Sequence, residues 1–464
     1  MQTQSLEYGE QLYKRPHLSK NLIIGFLAIE AIIFSIALTL ALTKGALFGI
    51  GVLGLLIFTV AIFFEPKLAL ALWVLLAFTD LSNFLGIHLY RIVLPLTLFV
   101  FLLRLLLVNK EISFVSSSLN SYIFGLVGIS IFSCLFAKDI ALSLRSFLAF
   151  LQAFFTFFFI SNMVDSDKLL WRLIYGIYFI VLIVLTYWLL QFSRSFNFTT
   201  MIFSGVMERA ASTETDPNVW AMVLVGILPL TIVFFKKNNT WFLKILFAIF
   251  GLIFTVGTLL TMSRAGIIAL GIIVFLIFIR NVKFKLLGVI LFTLFITGLI
   301  IVLPSYLRFR YGTIFFGGLG RDYSFWLRFT LLKAGIDVFL KHPFTGVGLG
   351  NFIAHATKYT LVPKVVHNSY LEIATGTGII GLVLFLTILI KATLTFSRVQ
   401  PHFRKRKQIW LAELSKHLQI GFIGMLICAT FISVPFYPAI WAIIGISVAL
   451  EQIAHKPEGT TKQE

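Results

Sequence analysis

The sequence predicts an all-α, polytopic transmembrane helical bundle of about 12–14 spans, with one large loop on the outer side of the membrane. Three observations carry that expectation. Of the 464 residues, 59% are apolar and only 12% are charged, about half the charged fraction of a soluble domain. Apolar runs of about 18 residues or more recur from end to end, each long enough to cross a ~30 Å hydrocarbon core. The runs lack the period-two alternation of barrel strands, and a helix satisfies its own backbone hydrogen bonds in lipid.

The elements follow in order. Residues 1–20 are polar, and the apolar run after them lacks a small-residue cleavage site, so 21–42 reads as a first anchor and not as a removable signal peptide. Further spans are expected at 46–64, 68–86, 92–109, 121–137, 146–163 and 169–192. They continue at 217–235, 243–262, 265–280, 286–303, 368–397, 417–434 and 436–454. Pro435 and Pro438 mark either a turn between the last two or a kink in one long helix. The organisation is then a helical region over 1–303, a large periplasmic loop over 304–367, and C-terminal spans with a cytoplasmic tail over 368–464. Cys134 and Cys428 both lie in apolar stretches and read as small core residues. No pattern has zinc-ligand spacing, so no metal site is expected.

The net charge of +19 has two readings: retention of the loops on the inside, or an anionic partner. With the N-terminus inside, the inner loops collect more than half of the 38 basic residues. Examples are Lys236, Lys237 and Lys244, then Arg280, Lys283 and Lys285, then Arg404 to Lys407 and Lys416. This places both termini in the cytoplasm. Residues 304–367 break the pattern. At 64 residues the loop far exceeds ordinary helix connections of about 2–8 residues. It carries eight basic residues, among them Arg321 and Arg328, against Asp322 and Asp337 alone. That excess sits where topology disfavours positive charge, and an anionic ligand at the outer face accounts for it. Within the loop, Leu327, Leu331, Ala334, Val338 and Phe339 recur at helical spacing, which predicts an amphipathic helix over 326–341 lying on the membrane surface. His342-Pro343 ends it, and Gly346, Gly348 and Gly350 read as a flexible turn. No strand precedes these glycines, so they are not a dinucleotide fingerprint.

Three polar clusters fall on the outer face in this topology. The first is Arg209 with Asp216-Pro217-Asn218; Asp216 before Pro217 is a helix-start signal, and Arg209 is either a solvated loop charge or a ligand contact. The second is Ser263-Arg264-Ala265-Gly266. Arg264 lies between two apolar stretches with no acid nearby, so it either snorkels to headgroups or grips phosphate oxygens with its two-pronged guanidinium. The third is His367-Asn368-Ser369-Tyr370-Leu371-Glu372, where the large loop returns to the membrane. A histidine here is either structural or a base that takes a proton from a hydroxyl near neutral pH. A base and several arginines at one leaflet suggest transfer of a group from a phosphate-bearing lipid to a hydroxyl, with the arginines stabilising the leaving phosphate.

These clusters resemble the O-antigen ligase and polymerase superfamily of bacterial envelope glycan assembly. His367-Asn368, nine residues, then Gly378-Ile379-Ile380-Gly381 looks like that family's signature of a histidine, a small polar residue, nine positions and GxxG. Ser263-Arg264-Ala265-Gly266 is similar to its SRA-type motif, and His342 to Phe352 resembles the stretch that precedes the histidine. Where ligases often show leucine four residues after the arginine, this chain has Ile268, a conservative change. The resemblance is firm over about 205–390. It implies a metal-independent, inverting glycosyltransferase of the GT-C type in the bacterial inner membrane, its active site facing the periplasm. The implied donor is an undecaprenyl-diphosphate-linked glycan and the implied acceptor a hydroxyl of a lipid core or other envelope glycan. By position His367 activates the acceptor. Arg264 and Arg209 hold the diphosphate, with Arg321 and Arg328 as further candidates and Asn368, Gly378, Gly381 and Asn218 as motif support. Membrane lipids are the other expected partners; no cofactor and no nucleic acid is expected.

Three alternatives use the same residues or abandon them. A polymerase joins repeat units with the same donor chemistry, and an O-linking enzyme transfers the glycan to protein. A transporter, of inorganic carbon or a glycolipid, calls for ionisable groups near mid-membrane, often on broken helices or in related repeats; Glu30 lies inside the first span and Lys391 near the end of the twelfth, and no repeat is visible.

Overall fold

A computed structural model describes residues 70, 74, 77–79, 115–195, 216–281, 285–302, 323–360 and 364–456. Most of these residues are helical, and there is no strand among them. The helices are α1 (Asn120–Cys134), α2 (Ile140–Met163), α3 (Asp167–Ser195), α4 (Pro217–Ile227) and α5 (Leu230–Lys237). Next come α6 (Trp241–Leu260), α7 (Arg264–Asn281), α8 (Lys285–Val302), α9 (Tyr323–Lys341) and α10 (Phe352–Ala356). The last are α11 (Ser369–Lys405), α12 (Ile409–Ala429) and α13 (Pro438–His455). Eight segments among the described residues are long and apolar enough to span a membrane, with α4 and α5 counting as one. The protein is an all-α polytopic membrane protein. The expected spans at 21–42, 46–64 and 92–109 lie outside the described residues, and Leu70, Val74, Ala77 and Phe78 from the 68–86 stretch are buried.

Apolar side chains alone cannot draw helices together in lipid, because the tails are as apolar as leucine; close packing of small residues does so instead. The centre of the bundle shows this. A Cβ on Gly421 of α12 would stand 2.0 Å from the Gly226 carbonyl oxygen of α4, and one on Gly266 of α7 would stand 2.7 Å from the Ala221 Cβ. Around this centre, Phe124, Ile131, Ile183, Phe242, Leu252 and Val383 stay exposed, as side chains facing acyl chains should.

Pro229 interrupts the expected 217–235 span, because its ring cannot continue the hydrogen-bond ladder; α4 ends and α5 begins around it. The Pro435 to Pro438 region is a turn and not a kink. Pro438 opens α13 at a helical N-terminal position, where a missing N–H costs nothing. Lys416, counted with an inner loop on charge grounds, lies inside α12 and is 7% exposed.

The helices alternate in direction, which sorts their ends. At one end, Lys236 Nζ donates to Asn281 Oδ1 at 2.7 Å and pairs with Glu413 at 3.3 Å, while Lys416 pairs with Glu413 at 2.7 Å. At the other end, the thiol of Cys428 approaches the Ala265 carbonyl at 3.8 Å, and Ser369 Oγ donates to the Ile432 carbonyl at 2.6 Å. That second end therefore holds the starts of α4, α7 and α11, and with them Asp216, Arg264 and His367.

Candidate active site

Residues 342–360 and 364–367 lie at this end of the bundle. The α9 helix forms as the spacing predicts; part of its apolar surface packs on protein, while Trp326, Phe329, Ile336 and Leu340 stay exposed. Leu331, Ala334 and Val338 pack with Val347, Phe352, Ala356 and Val366 in a small core of their own. Gly335 brings α9 against the first turn of α11, where a Cβ would stand 2.7 Å from Leu371 Cδ2. Helical spacing marks a face that needs an apolar partner and does not say which one.

The glycines after α9 are pinned and not flexible. Gly346, Gly348 and Gly350 have φ of 63°, 94° and 71°, a region open to glycine and strained for other residues. Val347 N–H and Gly348 N–H donate to the carbonyls of Thr375 and Gly376 at 2.9 and 3.1 Å, and Ile379 N–H donates to the Pro343 carbonyl at 2.7 Å. These bonds are available because α11 is broken at Gly378, with φ 71° and ψ −169°. A Cβ on Gly378 would fall 2.4 Å from the Phe344 carbonyl oxygen. The first glycine of the GxxG motif thus makes the break, and the loop's glycines fill it.

A second clasp ties the same loop to the start of α2. Asn351 is fully buried; its amide donates to the Asp139 carbonyl at 2.8 Å and to Ser143 Oγ at 2.6 Å, and its Oδ1 accepts the Asp139 N–H at 2.8 Å. Ser143 Oγ donates in turn to the Leu349 carbonyl at 2.9 Å. Asp139 and Asn351 are 212 residues apart, so single-sequence reading had no signal for this pairing.

Within this frame His367 is held by its neighbours. Val366 is buried in the small core, and its N–H donates to Glu372 Oε2 at 3.4 Å. Asn368 caps α11, its Oδ1 accepting the Leu371 N–H at 2.9 Å. Between a buried valine and a cap, His367 takes φ 58°, a left-handed conformation that costs a non-glycine residue of order 1–3 kcal/mol and that surrounding structure must impose. The imidazole is half-buried. Burial and then the positive charge of Arg328 hold its pKa below the ordinary histidine value; Asp216 acts in the opposite sense, and Lys364 adds to the lowering. The ring is therefore neutral at neutral pH, as a proton acceptor must be.

Asp216 caps α4, its Oδ1 accepting both the Asn218 N–H at 2.8 Å and the Asn218 side-chain amide at 2.7 Å. Asn218 is thereby accounted for as part of a cap. Arg264 is the first residue of α7, half-buried, after a turn in which Met262 takes φ 52° and Ser263 Oγ accepts the Gly266 N–H at 3.2 Å. A cation at a helix N-terminus opposes the macrodipole. Guanidinium and amide ends together make a positive locus suited to an anion. The structure thus brings His367, Arg328 and Asp216 within electrostatic reach and sets Arg264 at the same end. Arg209 and Arg321 lie outside the described residues. Glu372 and Asn351 stand in the sequence motifs without an assigned role and Ser433 stands outside them, because their partners are set by the fold.

Residues 247–386 match a family model described as O-Antigen ligase. The match runs from α6 to just past the break in α11, and so includes Arg264, Arg321, Arg328, His367, Gly378 and Gly381 but neither Arg209 nor Asn218. No curated protein matches the chain. By this match the chain is similar to the O-antigen ligase family over residues 247–386.

Proposed function

We propose that the protein is a glycosyltransferase of the ligase type. It moves a glycan from an undecaprenyl-diphosphate-linked donor to a hydroxyl of a lipid core or other envelope acceptor. The observation that carries this reading is a half-buried histidine kept neutral by burial and Arg328, at the end of the bundle where Arg264 also stands. In the reaction, the acceptor oxygen bonds to the anomeric carbon as the bond from that carbon to the diphosphate breaks. The acceptor proton passes to the His367 imidazole. Charge developing on the leaving diphosphate is met by Arg264 and Arg328, with Arg209 and Arg321 as further contributors. Attack from the face opposite the leaving group inverts the anomeric carbon, and none of these steps calls on a metal. The positive-inside distribution of lysine and arginine supports a periplasmic position for this end of the bundle, with both termini in the cytoplasm of a bacterial inner membrane.

The test is a glycan profile of a deletion strain complemented with wild type, His367→Ala or Arg264→Ala. Loss of a positioned base costs about 10²–10⁴-fold in rate, and loss of an electrostatic stabiliser about 10²–10³-fold. Both variants should therefore lose long glycan from the acceptor while lipid-linked polymer accumulates. Short chains with single repeats still attached would assign the same chemistry to a polymerase. An unchanged profile would contradict the transferase reading.

A further inference from the structure

Beside the His367 segment lies a cavity of about 390 Å³ for which the reaction above has no use. Its walls are mostly apolar, with Leu349 and Phe436 among them, and they carry polar groups from α2 (Ser146 and Gln152), α11 (Glu372) and the turn between α12 and α13 (Ser433). The volume is that of a small-molecule site, for which the usual range is about 300–1,000 Å³.

The chemistry of the walls narrows the occupant. Glu372 is 8% exposed. Its Oε2 accepts from Ser433 Oγ at 3.0 Å and from the Val366 N–H at 3.4 Å, while its Oε1 takes no hydrogen bond from the described residues. The Ser146 hydroxyl and the Gln152 side-chain amide, across the cavity on α2, likewise make no side-chain hydrogen bond among the described residues. Buried polar groups are costly unless paired, so an acyl chain filling this space would leave three kinds of polar group unsatisfied. A phosphate would meet the carboxylate. A neutral ring bearing several hydroxyls pairs with all of them, donating to Glu372 and both donating to and accepting from Gln152 and Ser146. Phe436, held by stacking on Phe150 at 4.5 Å, supplies a flat apolar wall for the ring's C–H face.

We propose that this cavity is a sugar-ring subsite for the glycan that meets His367, with Glu372 and Gln152 as its recognition residues; the assignment to that glycan rests on the transferase reading. The test is saturation-transfer NMR on the full-length protein in detergent, with a panel of neutral methyl glycosides of hexoses, 6-deoxyhexoses and N-acetylhexosamines. At least one glycoside should bind to the wild-type protein. Glu372→Gln keeps acceptors for Ser433 and Val366, and Gln152→Leu lies outside that staple; each should weaken binding about tenfold or more, with thermal unfolding unchanged as the check on folding. Absence of binding across the panel, or affinity unchanged in both variants, overturns the subsite, as would selective binding of an ammonium ligand such as choline. The two readings fail separately. Glycoside binding in a protein whose His367→Ala strain keeps its glycan leaves a sugar site without the transferase, and transfer without sugar binding leaves the reverse.

Discussion

At the scale of single residues, the reaction turns on one proton and the charges that govern it. His367 can accept a proton only while neutral. Burial and Arg328 both disfavour the imidazolium, so the group stays neutral to lower pH than an ordinary histidine. Transfer should therefore be level through neutral pH and fall on acidification, with the midpoint of the acid limb below 6.5. The neighbours give the sign of each perturbation. Arg328→Gln removes a positive charge and should move the acid limb to higher pH, while Asp216→Asn removes a negative one and should move it lower, with the cap of α4 kept by the asparagine. An acid limb that ignores both substitutions would assign the titration to another group.

At the scale of elements, the break in α11 and the loop that fills it are one device. Gly378→Ala must place a Cβ at φ 71° and ψ −169°, a region essentially confined to glycine, at about 1–3 kcal/mol, and against the Phe344 carbonyl. The substitution should free the loop from α11 while the bundle persists. Limited proteolysis within 342–352 should then accelerate and transfer should be lost, with helicity by circular dichroism unchanged. A variant as protease-resistant as wild type would show that the pairing is dispensable. The sequence made some of this legible and hid the rest for physical reasons. Apolar runs marked the described spans because lipid demands them, so α6, α7, α12 and α13 fall within a few residues of expectation or, for α12, shift towards a polar start that a hydropathy reading excludes. The GxxG motif was visible, but its meaning depends on the carbonyls of Pro343 and Phe344, over thirty residues earlier. The face of α9 was visible too, while the core formed by Val347, Phe352 and Val366 exists only once the loop has closed. Asn351, Glu372 and Ser433 are ordinary residues in sequence and acquire their roles from partners on other helices.

At the scale of the whole molecule, the two ends of the bundle have different work. The end away from His367 is tied by ions in the protein interior: Glu413 meets Lys416 and Lys236, and both lysines reach Asn281, which joins α5, α7 and α12. Arg280 Nη1 adds a bond to Gln419 Oε1 at 2.7 Å. Removing one member of a buried ion pair costs about 3–5 kcal/mol because the other charge is left behind. Glu413 is 17% exposed and Lys236 38%, so Glu413→Ala should cost less, about 2 kcal/mol. It should be read as a lower unfolding temperature in detergent with the pH profile of transfer unchanged. An altered pH profile would instead couple this end to the site. The Lys391 ammonium, one of the groups a transport mechanism would use, lies 5.0 Å from the centre of the Tyr122 ring, a cation–π contact between α11 and α1.

The central claim is that His367 and Arg264 share the outer face. The most direct test labels single cysteines in intact cells with a membrane-impermeant maleimide, in a background with Cys134 and Cys428 replaced by serine. The account predicts that His367→Cys and Arg264→Cys react in intact cells, and that Lys407→Cys reacts only after permeabilisation. Reaction of positions 264 and 367 from the cytosolic side alone would contradict it.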